Sequence, residues 1–210
     1  MKVIMHNSVS VDMSMKGMPV DLATHYSLVS KFKPDVYMFG SISAIVAIDS
    51  GMSEADPNSK IVKKEQPYWV IVDSKGKLEN KLHIYRNSPY AGKLIILVSD
   101  NSPESYYDYL EENNYNFIKT GKVFVDYPKA LDILEKKYNV KTIVLDSGGL
   151  LNRFFFELNL IDELSLVVNP YITGKKCTNL FREITDLVKL ELIKMEKMNE
   201  VLWLHYSVKN

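Results

Sequence analysis

Five short apolar runs, each leading into Gly, Asp or Ser, constrain this chain more than any other feature. They are VIMHNSV (3–9), VYMFG (36–40), YWVIVDS (68–74), KLIILVSD (93–100) and KTIVLDS (141–147). Near-continuous apolar runs of this length suit strands covered on both faces. Helical patterns lie between some of them. In VDLATHYSLVSKF (20–32), Leu22, Tyr26, Val29 and Phe32 fall near helical spacing. SPESYYDYLEENN opens with Ser-Pro-Glu, a helix-start signal with Ser102 as candidate cap. YPKALDILEKKY carries Ala130, Leu131, Leu134 and Tyr138. The alternation predicts an α/β sheet with helices on its faces.

The tail differs. LSLVVNPYI (164–172) predicts a strand, and VKLELIKM (188–195) alternates early, with Val188, Leu190 and Leu192 on one side. Asn199-Glu200 then precedes VLWLHYSV, a link so short that the two strands must be antiparallel. The expected sheet is mixed and mostly parallel, with helices on both faces and a C-terminal antiparallel hairpin. Residues 50–67 are polar and turn-rich, a flap or a short helix rather than a boundary. The whole chain, 1–210, reads as a single domain.

Formal net charge is +0 and only Arg86, Arg153 and Arg182 are arginines, which argues against a nucleic-acid partner. Cys177 is the one cysteine, so neither an intramolecular disulfide nor a cysteine zinc cluster is available. His6, His25, His83 and His205 have no metal-ligand spacing, and no metal is expected. The N-terminus lacks a signal-peptide core, and no apolar run approaches the roughly 20 residues of a membrane span. The expectation is a cytoplasmic protein without a membrane partner.

Four junctions carry candidate chemistry. In LDSGGLLN (145–152) a strand ends, two glycines come next, and an amphipathic helix begins. Glycines there let backbone N–H groups approach an anion, and the helix N-terminus adds about half a positive charge. The same glycines also suit a plain tight corner, and Asp146 opposes an anion unless its carboxylate points away. Asn7, Ser10 and Asp12 end the first strand, where α/β sheets form ligand crevices, though an Asp there also makes ordinary turns. Gly40 and Ser43 open a helix-like stretch after the second strand, as ribose or phosphate ligands or as a cap. Asp73 and Ser74 end the third strand. Asp162-Glu163 could do acid–base work or cap a turn. The dinucleotide fingerprint GxGxxG, the Walker pattern and GxSxG are all missing.

The order of these pieces is more telling than any one of them. N-x-x-S-x-D, Gly-x-x-Ser, V-I-V-D-S, T-G-K-V (120–123) and then D-S-G-G-L-L-N…I-D-E-L…N-P-Y-I-T-G resembles the pyrimidine reductase family of riboflavin biosynthesis. Asp146, Gly148, Gly149, Leu151, Asp162, Glu163, Pro170 and Gly174 carry the most specific part. The resemblance implies a dihydrofolate-reductase-like fold, NADPH as cofactor and a homodimer. It also implies reduction of a ribosylaminopyrimidine 5′-phosphate, the small-molecule substrate, to its ribityl product. On it, Gly40, Ser43, Asp73, Ser74, Ser147, Gly148, Gly149, Leu150 and Leu151 are expected on the cofactor side. Asn7, Ser10, Asp12 and Glu163 are expected on the substrate side. A zinc deaminase is not expected, since its H-x-E…P-C-x-x-C pattern is missing.

The departures are specific. Met13 comes after Asp12 where the family has Gly, and Ser147 replaces one glycine of the run. The family's Asp-Pro-x-Leu-x-x-Arg stretch is reduced to Asp56-Pro57, leaving Lys60, Lys63 and Lys64 as phosphate candidates. The loss of that arginine keeps open a same-fold reductase of a pterin or another heterocycle, or a non-catalytic nucleotide-binding module.

Overall fold

A computed structural model describes residues 1–54, 67–181 and 183–209. Its contacts group into two compact units, Met1–Pro34 with Thr142–Asn210, and Asp35–Lys141.

In the first unit, β1 (Lys2–Ser10) lies between β6 (Thr142–Leu145) and β7 (Glu163–Asn169), parallel to both. Antiparallel β9 (Val201–Lys209) joins β7, and β8 (Lys189–Met198) joins β9 through the Asn199-Glu200 turn. Helices α1 (Leu22–Lys31) and α6 (Gly149–Glu157) cover opposite faces. The reason is strand alternation: His6 and Ser8 of β1 meet His25 of α1, while Asn7 between them meets Asn152 of α6. Under α1 lies a core of Leu28, Val167 and Trp203, flanked by Phe32, Met198 and Val201.

Among the described residues the strands of the second unit are all parallel: β2 (Val36–Gly40), β3 (Tyr68–Val72), β4 (Leu94–Val98) and β5 (Asn116–Lys119), each paired with the next. Every residue of β4 is buried, as its unbroken apolar run requires. Its helices are α2 (Ser41–Asp49), α3 (Leu82–Arg86), α4 (Glu104–Glu112) and α5 (Tyr127–Tyr138). Tyr37, Phe39 and Trp69 pack with Tyr85 of α3 on one face, while Tyr68 meets Tyr138 of α5 on the other. Gly121 in T-G-K-V is sterically required: its φ is +76°, and a Cβ would sit 2.1 Å from the Phe124 carbonyl oxygen.

Two local expectations are corrected. Leu22 and Tyr26 are 60% and 46% exposed, and α1 instead buries His25, Leu28 and Val29. Polar partners for His25 at Ser8 and Asp146 fix the roll of the helix. Ser102 is not the cap of α4, a place held by Pro103. Its hydroxyl accepts the Ser99 amide and donates to the Ser74 carbonyl, closing the turn after β4. The candidates Asp56, Pro57, Lys60, Lys63 and Lys64 lie outside the described residues.

The hairpin has one irregularity. Leu192 faces Tyr206 and Lys194 faces His205, so Ile193 is an extra residue. The bulge keeps Leu190, Leu192 and Met195 opposite Val208, Tyr206 and Leu204 on one apolar face. Lys194 and Glu196 fall on the other face with His205 and Trp203. Leu192, Met195 and Leu202 of the hairpin are 54%, 64% and 41% exposed.

Candidate cofactor site

Strand β6 ends at Leu145, and α6 starts four residues later with Gly148 in the cap position. Gly148 has φ −80° and ψ 171°, ordinary extended backbone, so left-handed geometry is not why glycine is there. No side chain caps α6. A Cβ on Gly149 would stand 3.3 Å from the Leu180 carbonyl oxygen, so that glycine lets the 177–181 loop approach the helix start. Leu150 is exposed beside the turn, whereas Leu151 is buried in the core with Phe155.

The Asp146 carboxylate is held elsewhere. One oxygen accepts from His25 Nε2 at 2.9 Å and the other from Asn7 Nδ2 at 3.1 Å. Asn7 and Asn152 also donate to the Ser147 carbonyl, at 3.0 and 2.9 Å. Asn7 therefore organises the glycine turn through its buried amide. Asn152 went unpredicted; the available signal was a polar residue inside the apolar stripe of LLNRFFFEL. His25 also went unpredicted, having no motif around it. Burial, and next the neighbouring His25, pushes His6 down to about 3, which keeps that imidazole neutral.

Ser10 and Asp12 come together in a loop clamp. Asp12 accepts the Ser10 hydroxyl at 2.5 Å, the Thr173 amide and hydroxyl at 3.1 Å, and the Gly174 amide at 2.9 Å. The Ser10 hydroxyl, and next the Thr173 amide, hold its carboxyl well below the usual range. Ser14 accepts the Thr178 amide and Leu180 N–H donates to Met13, so the 171–180 loop is tied down beside the start of α6. Met13 has φ +60°, so the residue standing in for the family's glycine occupies a left-handed conformation.

Glu163 is not with these residues. It pairs with Ile4, whereas Asn169 pairs with Ser10. Six residues along the strands, roughly 20 Å, separate the two ends. Glu163 binds Lys2 at 2.5 Å and His205 at 2.8 Å, and Asp162 accepts the Val3 amide at 2.7 Å. Both acids of the pair thus hold the N-terminal ends of β1 and β7.

In the second unit, Gly40 holds the cap position of α2 with extended backbone, and Ser43 lies in the first turn. Gly40 is in register with Val72, so Asp73 and Ser74 come next at the same strand ends. Asp73 is buried and accepts the Lys77 and Leu78 amides, so its carboxylate shapes the turn. The described arginines are engaged. Arg86 lies 3.6 Å from the Tyr115 ring centroid and donates to Asn113, and Arg153 stacks on Phe154 beside Glu157.

A mostly parallel sheet with helices on its faces and an antiparallel end defines the class as α/β. The chain belongs to the RibD C-terminal domain family, whose model matches residues 28–204. It is similar to riboflavin biosynthesis protein RibD of Buchnera aphidicola subsp. Baizongia pistaciae, at 30% identity over 155 residues, 70% of this chain and 39% of that one. It is also similar to 2,5-diamino-6-ribosylamino-4(3H)-pyrimidinone 5′-phosphate reductase of Kluyveromyces marxianus, at 29% over 139 residues, 65% of this chain and 47% of that one. The chain thus spans less than half the length of these curated relatives. A solved pyrimidine reductase-like protein of Corynebacterium diphtheriae matches all of this chain and 92% of its own, with TM-score 0.74 and 14% identity. Dihydrofolate reductase of Enterococcus faecalis matches all of this chain and 97% of its own, with TM-score 0.53 and 9% identity. These structural likenesses carry the fold alone, which is dihydrofolate-reductase-like.

Proposed function

We propose that this chain reduces the ribosyl group of 2,5-diamino-6-ribosylamino-4(3H)-pyrimidinone 5′-phosphate to the ribityl group, using NADPH, in riboflavin biosynthesis. The observation that carries the reading is the start of α6. The helix has no side-chain cap, and the Asp146 carboxylate just ahead of it is held by His25 and Asn7. That helix start fits a pyrophosphate. Gly148, Gly149, Leu150 and the backbone of Ser147 would hold it, with Gly40 and Ser43 as further cofactor residues. When bound there, a reduced nicotinamide would supply the hydride that C1′ of the ring-opened imine takes up together with a proton. The protein contributes position and field. Ser147 and Asn7 fix the turn, and Asp12 fixes the loop beside it.

With Arg86 and Arg153 engaged, the substrate phosphate falls to lysine or amides. Lys16, Lys175 and Lys176 stand exposed on the loops tied by Asp12 and Ser14, and each would act as a point charge. The test is NADPH oxidation with the phosphorylated pyrimidinone, with the product identified by mass. Turnover of dihydrofolate instead would favour the pterin reading, and NADPH binding without any turnover the non-catalytic one.

The same reading includes a cytoplasmic homodimer. The single cysteine fits a reducing compartment. The exposed apolar face of β8 and β9 fits a second copy of the chain. Replacing Leu192 and Met195 together by Lys is expected to halve the mass measured by light scattering.

A further inference from the structure

We propose that His25 is a positioning residue that keeps the Asp146 carboxylate off the N-terminus of α6, leaving that terminus open to an anionic ligand; the inference rests on the proposed cofactor role of that turn. An acid just ahead of a helix is drawn to its positive end and to its free amides. Asp is used that way elsewhere in this protein, with Asp21 capping α1 and Asp126 capping α5. Asp146, two residues before the α6 cap, does not.

The hydrogen bonds supply the reason. A carboxylate only accepts, so the 2.9 Å contact puts the imidazole proton on His25 Nε2. Nδ1 is tied at 2.9 Å to Ser8 Oγ. His25 is only 4% exposed, and its ring packs 4.5 Å from His6 and 5.1 Å from Tyr26 between centroids. Neither ring flip nor rotation is open to it without losing a partner. Asn7 restrains the other carboxylate oxygen, but its amide is shared with the Ser147 carbonyl. The Asp146 side chain is 23% exposed, so without His25 it has room to turn towards the helix. There it would compete with a pyrophosphate for the same N–H groups.

A purely structural role for His25 would not depend on the charge of Asp146, and that difference decides the test. NADPH is titrated by fluorescence into wild type, His25→Leu, His25→Gln, Asp146→Asn and the His25→Leu/Asp146→Asn double variant, with thermal unfolding recorded for each. His25→Leu is expected to raise Kd about tenfold. His25→Gln, which keeps a donor, is expected to recover part of that loss. The double variant is expected to bind close to Asp146→Asn. A double variant as weak as His25→Leu, or a His25→Leu that binds normally, overturns the inference while leaving the cofactor reading intact. If His25→Leu does not fold, Ser8→Ala takes its place. A smaller rise in Kd, cancelled by Asp146→Asn, supports the inference, and no rise overturns it. Wild type that fails to bind NADPH overturns the inference and the cofactor reading together.

Discussion

Helices α1 and α5 begin differently from α2 and α6. Asp21 accepts the amides of Ala23 and Thr24, and Asp126 accepts that of Lys129. Both helices finish their own first turn. Helices α2 and α6 come soon after strand ends, start behind Gly40 and Gly148, and have no side-chain cap. Unfinished helix starts leave N–H donors to solvent or ligand. One fold thus closes some helix starts for stability and leaves others open at the C-terminal ends of parallel strands, where such folds take ligands.

The contrast breaks most visibly if an open start is closed. Gly148→Asp introduces a cap where a Cβ meets only Met15 Cε, at 3.9 Å, and the backbone is already ordinary. NADPH Kd is expected to rise at least about thirtyfold, the equivalent of ~2 kcal/mol at a helix N-terminus. Stability should rise by about 0.3 kcal/mol. Titration and urea unfolding of one preparation measure both. Gly149→Asp is the poorer test, because the Leu180 carbonyl crowds its Cβ.

Opening a closed start should do the reverse. Asp126→Ala is expected to cost about 1 kcal/mol in urea unfolding and to leave NADPH affinity unchanged. The smallest effect is in pH. The Thr24 hydroxyl, and then its amide, hold the Asp21 carboxyl below its ordinary 3.8. A carboxyl depressed in the folded state stabilises fully above its unfolded pKa, and that contribution is lost as pH falls through the folded value. Asp21→Asn, which still caps, should flatten the fall in melting temperature below about pH 4 and change little at neutral pH.

The five strands read from apolar runs are present because burial on both faces leaves a local mark. β5 left none: only Ile118 of its four residues is buried. The glycine turn was visible as a strand-to-helix junction, and its family was carried by D-S-G-G-L-L-N together with I-D-E-L and N-P-Y-I-T-G. The roles inside it were not visible. His25 meets Asp146 across 121 positions, and Asn7 meets Asn152 across 145. Such pairings belong to tertiary structure, and no spacing rule announces them. Glu163 stands apart from Ser10 and Asp12 for a related reason: the pattern I-D-E-L marks where β7 starts, and in a parallel pair that is the end opposite the one where β1 finishes.

The bulge at Ile193 has a consequence for how the hairpin tolerates change. In a regular strand, losing one residue turns everything beyond it over to the opposite face. Without the bulge, Lys194 and Glu196 would stand opposite Leu204 and Leu202, in the places of Met195 and Lys197. Because Ile193 is the surplus residue, deleting its codon would leave every other pairing of β8 unchanged. The strand carries one spare position, a place where the sequence can shorten without turning its faces over.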